Sequence, residues 1–414
     1  MKYVIVLGDG MADRPIEELG GKTPLEAADT PYMDLLASQG EIGLAATIPE
    51  GMKPGSDTAN LAVLGYDPKV YYSGRSPLEA LSIGVPMKAT DIALRVNIVT
   101  VEESADGVFE NYIIRDHSSG EISTEDAAVL LDACRELLEN EEFKFYVGTS
   151  YRHCCIWDKG EVVELPQPHD HLDETLGSLL PINYGDSTAL TDLAKHGMKS
   201  FTEMMKKSFE ILNHHPLNEE RRKAGKNPAN CLWFWGAGTK PMLSPFVEKT
   251  GKKAVMISAV DLLKGIGRGA DMFVPKVEGA NGLLETNYEG KAQAALDALM
   301  KDGYDFAYVH VEAPDEMGHQ GSYERKIKAI ENLDQRLIKT IYEGLEGTDF
   351  RMLILPDHPT PVCIRTHSSD PVPYILYDSK AKQNHTWTYC EKEAELSGNF
   401  IKPGYLLINH LLEK

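Results

Sequence analysis

Four short stretches of the chain are apolar through their middles: residues 3–7 (Y-V-I-V-L), 254–258, 305–312 and 351–355. None alternates with period two, so each reads as a strand covered on both faces, the pattern of a mostly parallel sheet with helices above and below. Helical patterns stand between them. Residues 31–39 begin at Thr30-Pro31 and close at Gly40, residues 291–301 close before Gly303, and residues 324–345 place Ile327, Ile330, Leu333, Leu337, Ile338 and Ile341 on one face. The fold class expected is a layered α/β/α core.

The residues that carry chemistry stand where these strands end. Asp9 follows the first, in G-D-G. Asp315 and His319 follow the third in A-P-D-E-M-G-H, at an i,i+4 spacing that puts both on one side of a helical turn. Asp357 and His358 follow the fourth, and His367 lies nine residues beyond His358 in R-T-H-S-S. Parallel strands bring their carboxyl edges together, and ligands bind at that edge in open α/β sheets. Residues more than 300 positions apart can therefore share one site. Ser56 belongs to the same set. Pro54-Gly55 stop the chain before it, and a helix-compatible run follows to Gly65. A serine at a helix start meets free N–H groups and the positive dipole end, a favourable place for a phosphoryl group. Each piece also has a plain structural reading: Ser56 as an N-cap, Asp315 as a helix cap, His358 in a turn and His367 in a loop. Their joint placement argues for a site. Mixed Asp and His ligation suits Mn²⁺, Zn²⁺ or Co²⁺ better than Mg²⁺. Two such ions clamp phosphoryl oxygens and favour a serine alkoxide, so the chemistry expected is phosphoryl transfer through a phosphoserine.

From about residue 91 the pattern changes. Residues 92–101, 109–115, 144–147 and 154–157 read as shorter strands around an amphipathic helix at 123–138, whose inward face is Ala127, Leu130, Leu131, Cys134, Leu137 and Leu138. The division expected is a discontinuous core, 1–90 and 181–414, with an α+β insertion at 91–180 and hinges near 89–91 and 180–183. A helix at 188–213 and a strand at 231–235 are then assigned to the core. His169 and His171, alternate in a Pro-rich loop, are weak metal candidates, and Gly236-Ala-Gly-Thr-Lys240 is only a faint phosphate loop. The net charge of −21 argues against nucleic acid as a partner. Six cysteines without C-x-x-C pairing, no leader pattern and no long apolar run point to a reduced cytoplasmic protein away from membranes.

Together G-D-G-M-A-D, P-G-S-D-T-A-N-L-A-V-L-G-Y, Y-R-H, H-V-E-A-P-D-E-M-G-H and L-P-D-H-P-T-P resemble the alkaline phosphatase superfamily. More closely they resemble the archaeal-type, cofactor-independent phosphoglycerate mutases. The resemblance implies an alkaline-phosphatase-like core with an inserted cap. It implies interconversion of 3-phosphoglycerate and 2-phosphoglycerate in glycolysis and gluconeogenesis, an intramolecular phosphotransfer that needs no 2,3-bisphosphoglycerate. By it, Asp9, Ser56, Asp357 and His358 hold one metal ion, and Asp315, His319 and His367 hold the second. Mn²⁺ is the first choice, with Zn²⁺, Co²⁺ or Mg²⁺ as alternatives, and Ser56 is the nucleophile. Arg75, Arg152, His153, Lys264 and Arg268 are the basic groups to place around the substrate's phosphate and carboxylate. One position departs from the family: Glu121 stands where Arg is common, which keeps a homoserine kinase of the same architecture as the alternative. A phosphomonoesterase comes third, and a catalytically silent scaffold is disfavoured because no ligand is missing. The partner expected is a small phosphorylated metabolite, and a homo-oligomer is left open.

Overall fold

The four apolar runs become neighbours in one sheet. In chain order the strands are β1 (Lys2–Gly8), β2 (Glu41–Ala45), β3 (Ile92–Glu102), β4 (Ile113–Asp116), β5 (Phe143–Thr149) and β6 (Arg152–Trp157). They continue with β7 (Cys231–Thr239), β8 (Ala254–Ile257), β9 (Phe306–Val311), β10 (Phe350–Leu355), β11 (Val372–Asp378) and β12 (Phe400–Ile401). The computed structural model describes residues 1–185 and 189–413. It divides into one unit of Met1–Tyr72 with Met242–Lys414 and a second of Ser73–Pro241.

The first unit holds a seven-stranded sheet in the order β12-β2-β11-β10-β1-β9-β8. β10, β1, β9 and β8 are parallel, and β11 runs antiparallel to both β10 and β2. Leu7 pairs with Leu355 on one side and His310 on the other, so the three strands that lead to the expected ligands end side by side. Val4, Val6, Ala307 and Val309 pack beneath Met33 and Leu36 of the Pro31–Gln39 helix, Ala292, Ala295 and Leu299 of the Tyr288–Met300 helix, and Ile330, Leu333, Leu337 and Ile341. These side chains are at most 1% exposed, and each such burial contributes about 1.5–3 kcal/mol for the larger apolar residues.

The long helix expected at 324–345 is interrupted. Tyr323–Asn332 and Lys339–Gly344 are α-helical, and Leu333–Ile338 between them is a π-helical turn. Asp334, in that turn, accepts the backbone N–H groups of Tyr32 and Met33 at 3.1 and 2.6 Å. It thus satisfies donors at the start of the neighbouring helix. Ile327 is only partly buried.

The second unit differs most from the expected division. Its sheet has the order β4-β3-β6-β5, with β7 paired antiparallel to β3 from Ile92–Thr239 to Val99–Cys231. The buried run at 231–235 therefore belongs to this unit and not to the core. So do the helices Asp192–Leu212 and Pro216–Lys223. Phe145, Trp157 and Phe234 from three strands form one core with Leu130, Leu131, Met198 and Phe201. The chain passes between units at 72/73 and 241/242, so the expected hinge positions 89–91 and 180–183 both fall inside the second unit. The expected bounds 91–180 are thus narrower at both ends.

Smaller differences follow local chemistry. Residues 109–115 split into a 3₁₀ turn, Phe109–Asn111, and β4. The 123–138 helix starts at Thr124 with the Ser123 hydroxyl accepting Asp126 N–H, but Leu137 points outward and is 59% exposed. The 188–213 helix spans Asp192–Leu212, and Thr188 lies outside the described residues. Gly236–Thr239 is strand, not a phosphate loop. All six cysteines are free thiols, and no described helix is long and apolar enough to cross a membrane.

Candidate metal centre and nucleophile

Every expected metal ligand lies in the first unit, and the strand ends bring them together. Asp9 leaves the end of β1 and is 2% exposed; Asp357 and His358 leave the end of β10 and are fully buried. Asp315 sits in the first turn of the Ala313–His319 helix after β9, and His319 ends that helix. Asp9, Asp357 and His358 form one group of converging ligand atoms, and Asp315, His358 and His367 form another. His358 thus faces both groups, whereas the resemblance placed it in the first alone. Its ring also lies against that of His367, with centroids 4.0 Å apart.

His319 joins the second group from its exposed side. Its Nε2 is 3.2 Å from Asp315 Oδ2 and 3.0 Å from His367 Nε2. Its Nδ1 lies 3.0 Å from the Arg365 carbonyl, so Nδ1–H donates there and Nε2 is the atom on which a cation would replace the proton shared with Asp315.

Ser56 is the first residue of the Ser56–Val63 helix, after Gly55. Its Oγ is 3.2 Å from His358 Nε2 and 3.3 Å from Asp9 Oδ2. Asn60, one turn on, donates to the Ser56 carbonyl at 2.8 Å and to Asp357 Oδ2 at 2.9 Å, while Asn60 Oδ1 accepts the Tyr308 hydroxyl. Asp357 Oδ1 accepts the N–H groups of Gly10 and His358 at 3.1 and 2.9 Å. Gly10 is required here: its φ is +59°, and a Cβ would stand 2.5 Å from Asp315 Oδ1.

The electrostatics suit cations. Burial first, then the charges of Asp357, Asp315 and Glu312, push Asp9 well above the usual carboxylate range. Burial also pushes Asp315 up, but the His319 hydrogen bond and the His358 charge pull it well below that range. The same bond raises His319 to about 9. Burial and the His358 charge lower His367. Asp9 Oδ1 is buried without a hydrogen-bond partner among the described residues. An orphaned carboxylate oxygen beside converging imidazoles fits a divalent metal ion, and the mixed O and N donors favour Mn²⁺, Zn²⁺ or Co²⁺.

Several groups around this centre were not singled out in the sequence. Thr360 donates its hydroxyl to Asp315. Buried Lys326 bonds the carbonyls of Ala12 and Thr360 and the Asp13 carboxylate. Tyr308 and His310 stand two apart on β9 and so face the same side. A histidine inside an otherwise apolar strand was the signal available for His310.

The basic residues divide between the units. Lys264 and Arg268 lie on the Asp261–Gly269 helix of the first unit, with Lys264 Nζ 3.1 Å from Asp261. Arg75, Arg152 and His153 lie in the second. Arg75 pairs with Glu79 at 3.2 Å, and the Arg152 guanidinium covers the Tyr151 ring at 4.6 Å. His153 is 3% exposed, its Nδ1 accepts Gly148 N–H at 3.1 Å, and its Nε2 is a buried donor with no partner among the described residues. Burial lowers it to about 4, so near neutral pH it offers an N–H and not a charge. Glu121 is exposed, with φ +50°. His169 packs on Trp235 at 5.5 Å, and His171 lies 3.3 Å from Glu174; neither joins a described ligand group.

A family model described as 2,3-bisphosphoglycerate-independent phosphoglycerate mutase matches residues 37–218. The protein of that name from Methanosarcina barkeri is 46% identical over 96% of each chain. A probable one from Geobacter sulfurreducens is 44% identical over the whole of both chains. Among solved structures, that of a Pyrococcus horikoshii protein superposes with a TM-score of 0.80 at 31% identity, covering 100% of this chain and 96% of the other.

Proposed function

This chain belongs to the 2,3-bisphosphoglycerate-independent phosphoglycerate mutases, and from that premise we propose that Ser56 carries the phosphoryl group between the two positions of the glycerate. Family membership makes it a metal-dependent enzyme acting on phosphoglycerate, and it supports the mutase over the homoserine-kinase alternative. The observation that carries the mechanism is Ser56 Oγ at a helix start, within 3.3 Å of both Asp9 and His358.

On this reading Ser56 Oγ bonds to phosphorus as the bond from phosphorus to the 3-oxygen breaks. The 3-oxygen leaves as a hydroxyl with the proton Ser56 gave up; the glycerate turns, and its 2-oxygen bonds to phosphorus as the bond from phosphorus to Ser56 Oγ breaks, its proton returning to Ser56. Asp9 Oδ2 is the acceptor within reach of the Ser56 proton, with His358 Nε2 left to face the cation, and the helix N-terminus stabilises the phosphate charge. Two divalent cations, held by Asp9, Ser56, Asp357 and His358 and by Asp315, His319 and His367, would neutralise the phosphoryl oxygens and favour the Ser56 alkoxide. Arg75, Arg152, His153, Lys264 and Arg268 are proposed for the anionic ends of the substrate, and the orphan His153 donor supports that role. A cap role is proposed for the second unit, Ser73–Pro241, which contains the expected 91–180, since a phosphoserine open to water would hydrolyse. Four cysteines of the second unit are buried unpaired thiols, which supports a cytoplasmic location.

Mn²⁺-loaded protein given 3-phosphoglycerate, with enolase as the coupling enzyme and no 2,3-bisphosphoglycerate, should form 2-phosphoglycerate. Ser56→Ala should lower that rate by at least about 10⁴-fold, as loss of a covalent nucleophile does. A Ser56→Ala protein with undiminished rate would remove the phosphoserine. O-phosphohomoserine from homoserine and ATP, without mutase turnover, would overturn the substrate.

A further inference from the structure

His310 lies in the middle of the cluster yet is none of the assigned ligands. It is fully buried near the end of β9. Its Nε2 is 2.8 Å from Asp9 Oδ2 and its Nδ1 is 3.1 Å from Ser258 Oγ. The direction of each bond follows from the chain of donors. Val260 N–H donates to Ser258 Oγ at 3.0 Å, leaving the Ser258 hydroxyl proton for His310 Nδ1. A metal-binding Asp9 carboxylate can only accept, so on this arrangement His310 carries its proton on Nε2, donates it to Asp9 and takes the Ser258 hydroxyl proton at Nδ1. The backbone is held as well, because the buried Lys291 ammonium donates to the His310 carbonyl at 3.1 Å.

The two Asp9 oxygens are therefore inequivalent. Oδ2 receives His310 and lies 3.3 Å from Ser56 Oγ, while Oδ1 has no hydrogen-bond partner among the described residues. We infer that His310 is a positioning residue, oriented by Ser258, which holds Asp9 Oδ2 and so presents Oδ1 to the cation on the Ser56 side. This rests on the two-metal reading proposed above. A partner that orients a metal-binding carboxylate typically contributes 10–100-fold to metal affinity.

The test is a Mn²⁺ titration followed by the electron paramagnetic resonance signal of free Mn²⁺, on the parent, His310→Phe, His310→Gln and Ser258→Ala. The parent should bind two ions. His310→Phe, which keeps bulk but has no donor, should lose about 10–100-fold affinity at one site and leave the other unchanged. His310→Gln can still donate to Asp9 and accept from Ser258, so it should recover most of that affinity. Ser258→Ala should weaken the same site by a smaller factor. At saturating Mn²⁺, kcat should fall in His310→Phe with the KM for 3-phosphoglycerate unchanged. A folded His310→Phe that binds both ions like the parent overturns the inference, as does His310→Gln binding no better than His310→Phe. Should melting show that His310→Phe does not fold, parent-like binding by Ser258→Ala overturns it instead. A parent that binds no Mn²⁺ would overturn the metal reading and this inference with it, a result distinct from the failure of the variants alone.

Discussion

Replacing Lys326 by methionine tests how the centre is supported from beneath. Lys326 is fully buried on the Tyr323–Asn332 helix, and its ammonium ends on the Ala12 carbonyl at 3.1 Å, Asp13 Oδ2 at 2.8 Å and the Thr360 carbonyl at 2.9 Å. The Asp13 side chain is equally buried, and its Oδ2 otherwise accepts only Val362 N–H, at 3.2 Å, among the described hydrogen bonds. Methionine keeps the unbranched apolar stem of lysine to within one atom but leaves Asp13 as a buried, uncompensated charge. Breaking such a pair costs about 3–5 kcal/mol, because the desolvation of the remaining ion is no longer offset. At about 2–4 °C per kcal/mol for a unit of this size, the loss should lower its melting temperature by roughly 6–20 °C. Calorimetry can read this directly, with the first unit's transition identified as the one that Mn²⁺ shifts. Asp13→Asn should also destabilise, and the double variant should cost less than the two singles together by at least about 1.5 kcal/mol. A Lys326→Met cost under about 1 kcal/mol, or strict additivity of the singles, would refute the buried-pair reasoning.

Gly10→Ala should lose Mn²⁺ binding and at least about 2 kcal/mol of stability, since the added Cβ meets Asp315 and Thr360 in a left-handed backbone; equilibrium dialysis and melting check both. Chelating the metal should abolish mutase turnover and lower the first unit's transition alone, and adding back Mn²⁺ at 100 times its Kd should restore about 2.7 kcal/mol per site. The pH response of the second unit should follow His153. Its pKa is held at about 4 in the fold against an ordinary 6.5, so the unfolded chain binds the extra proton between those values. Stability is then full above pH 6.5 and falls by up to about 3 kcal/mol as pH drops to 4. His153→Gln should flatten that slope in melting curves recorded from pH 7 to 4.

The α/β class, the parallel strands and the convergence of the candidate ligands were legible because each rests on a short-range signal. An apolar run without alternation must be covered on both faces wherever it sits, and the strands' carboxyl edges then carry Asp9, Asp315 and Asp357 to one place. Ser56 after Pro54-Gly55 is likewise a local helix start. The motifs around these residues were specific enough to indicate the family before any geometry was known.

Other features depend on which surfaces meet. β7 and β8 are both short buried runs, and only pairing decides that β7 joins β3 while β8 joins β9. That choice extends the second unit to Pro241. Leu137 fits the helical stripe by spacing, yet the partner surface does not reach it. Asn60, Thr360, Lys326 and His310 are polar residues on ordinary elements, and their roles come from partners 45 to more than 300 residues away. Periodicity and caps act between neighbours in the chain, so the sequence by itself determined most of the strands and helices and which residues stand as candidate ligands at the strand ends. Hydrogen-bond partners across the fold exist only after the sheet has closed, and so the tertiary structure alone decided how those ligands are held.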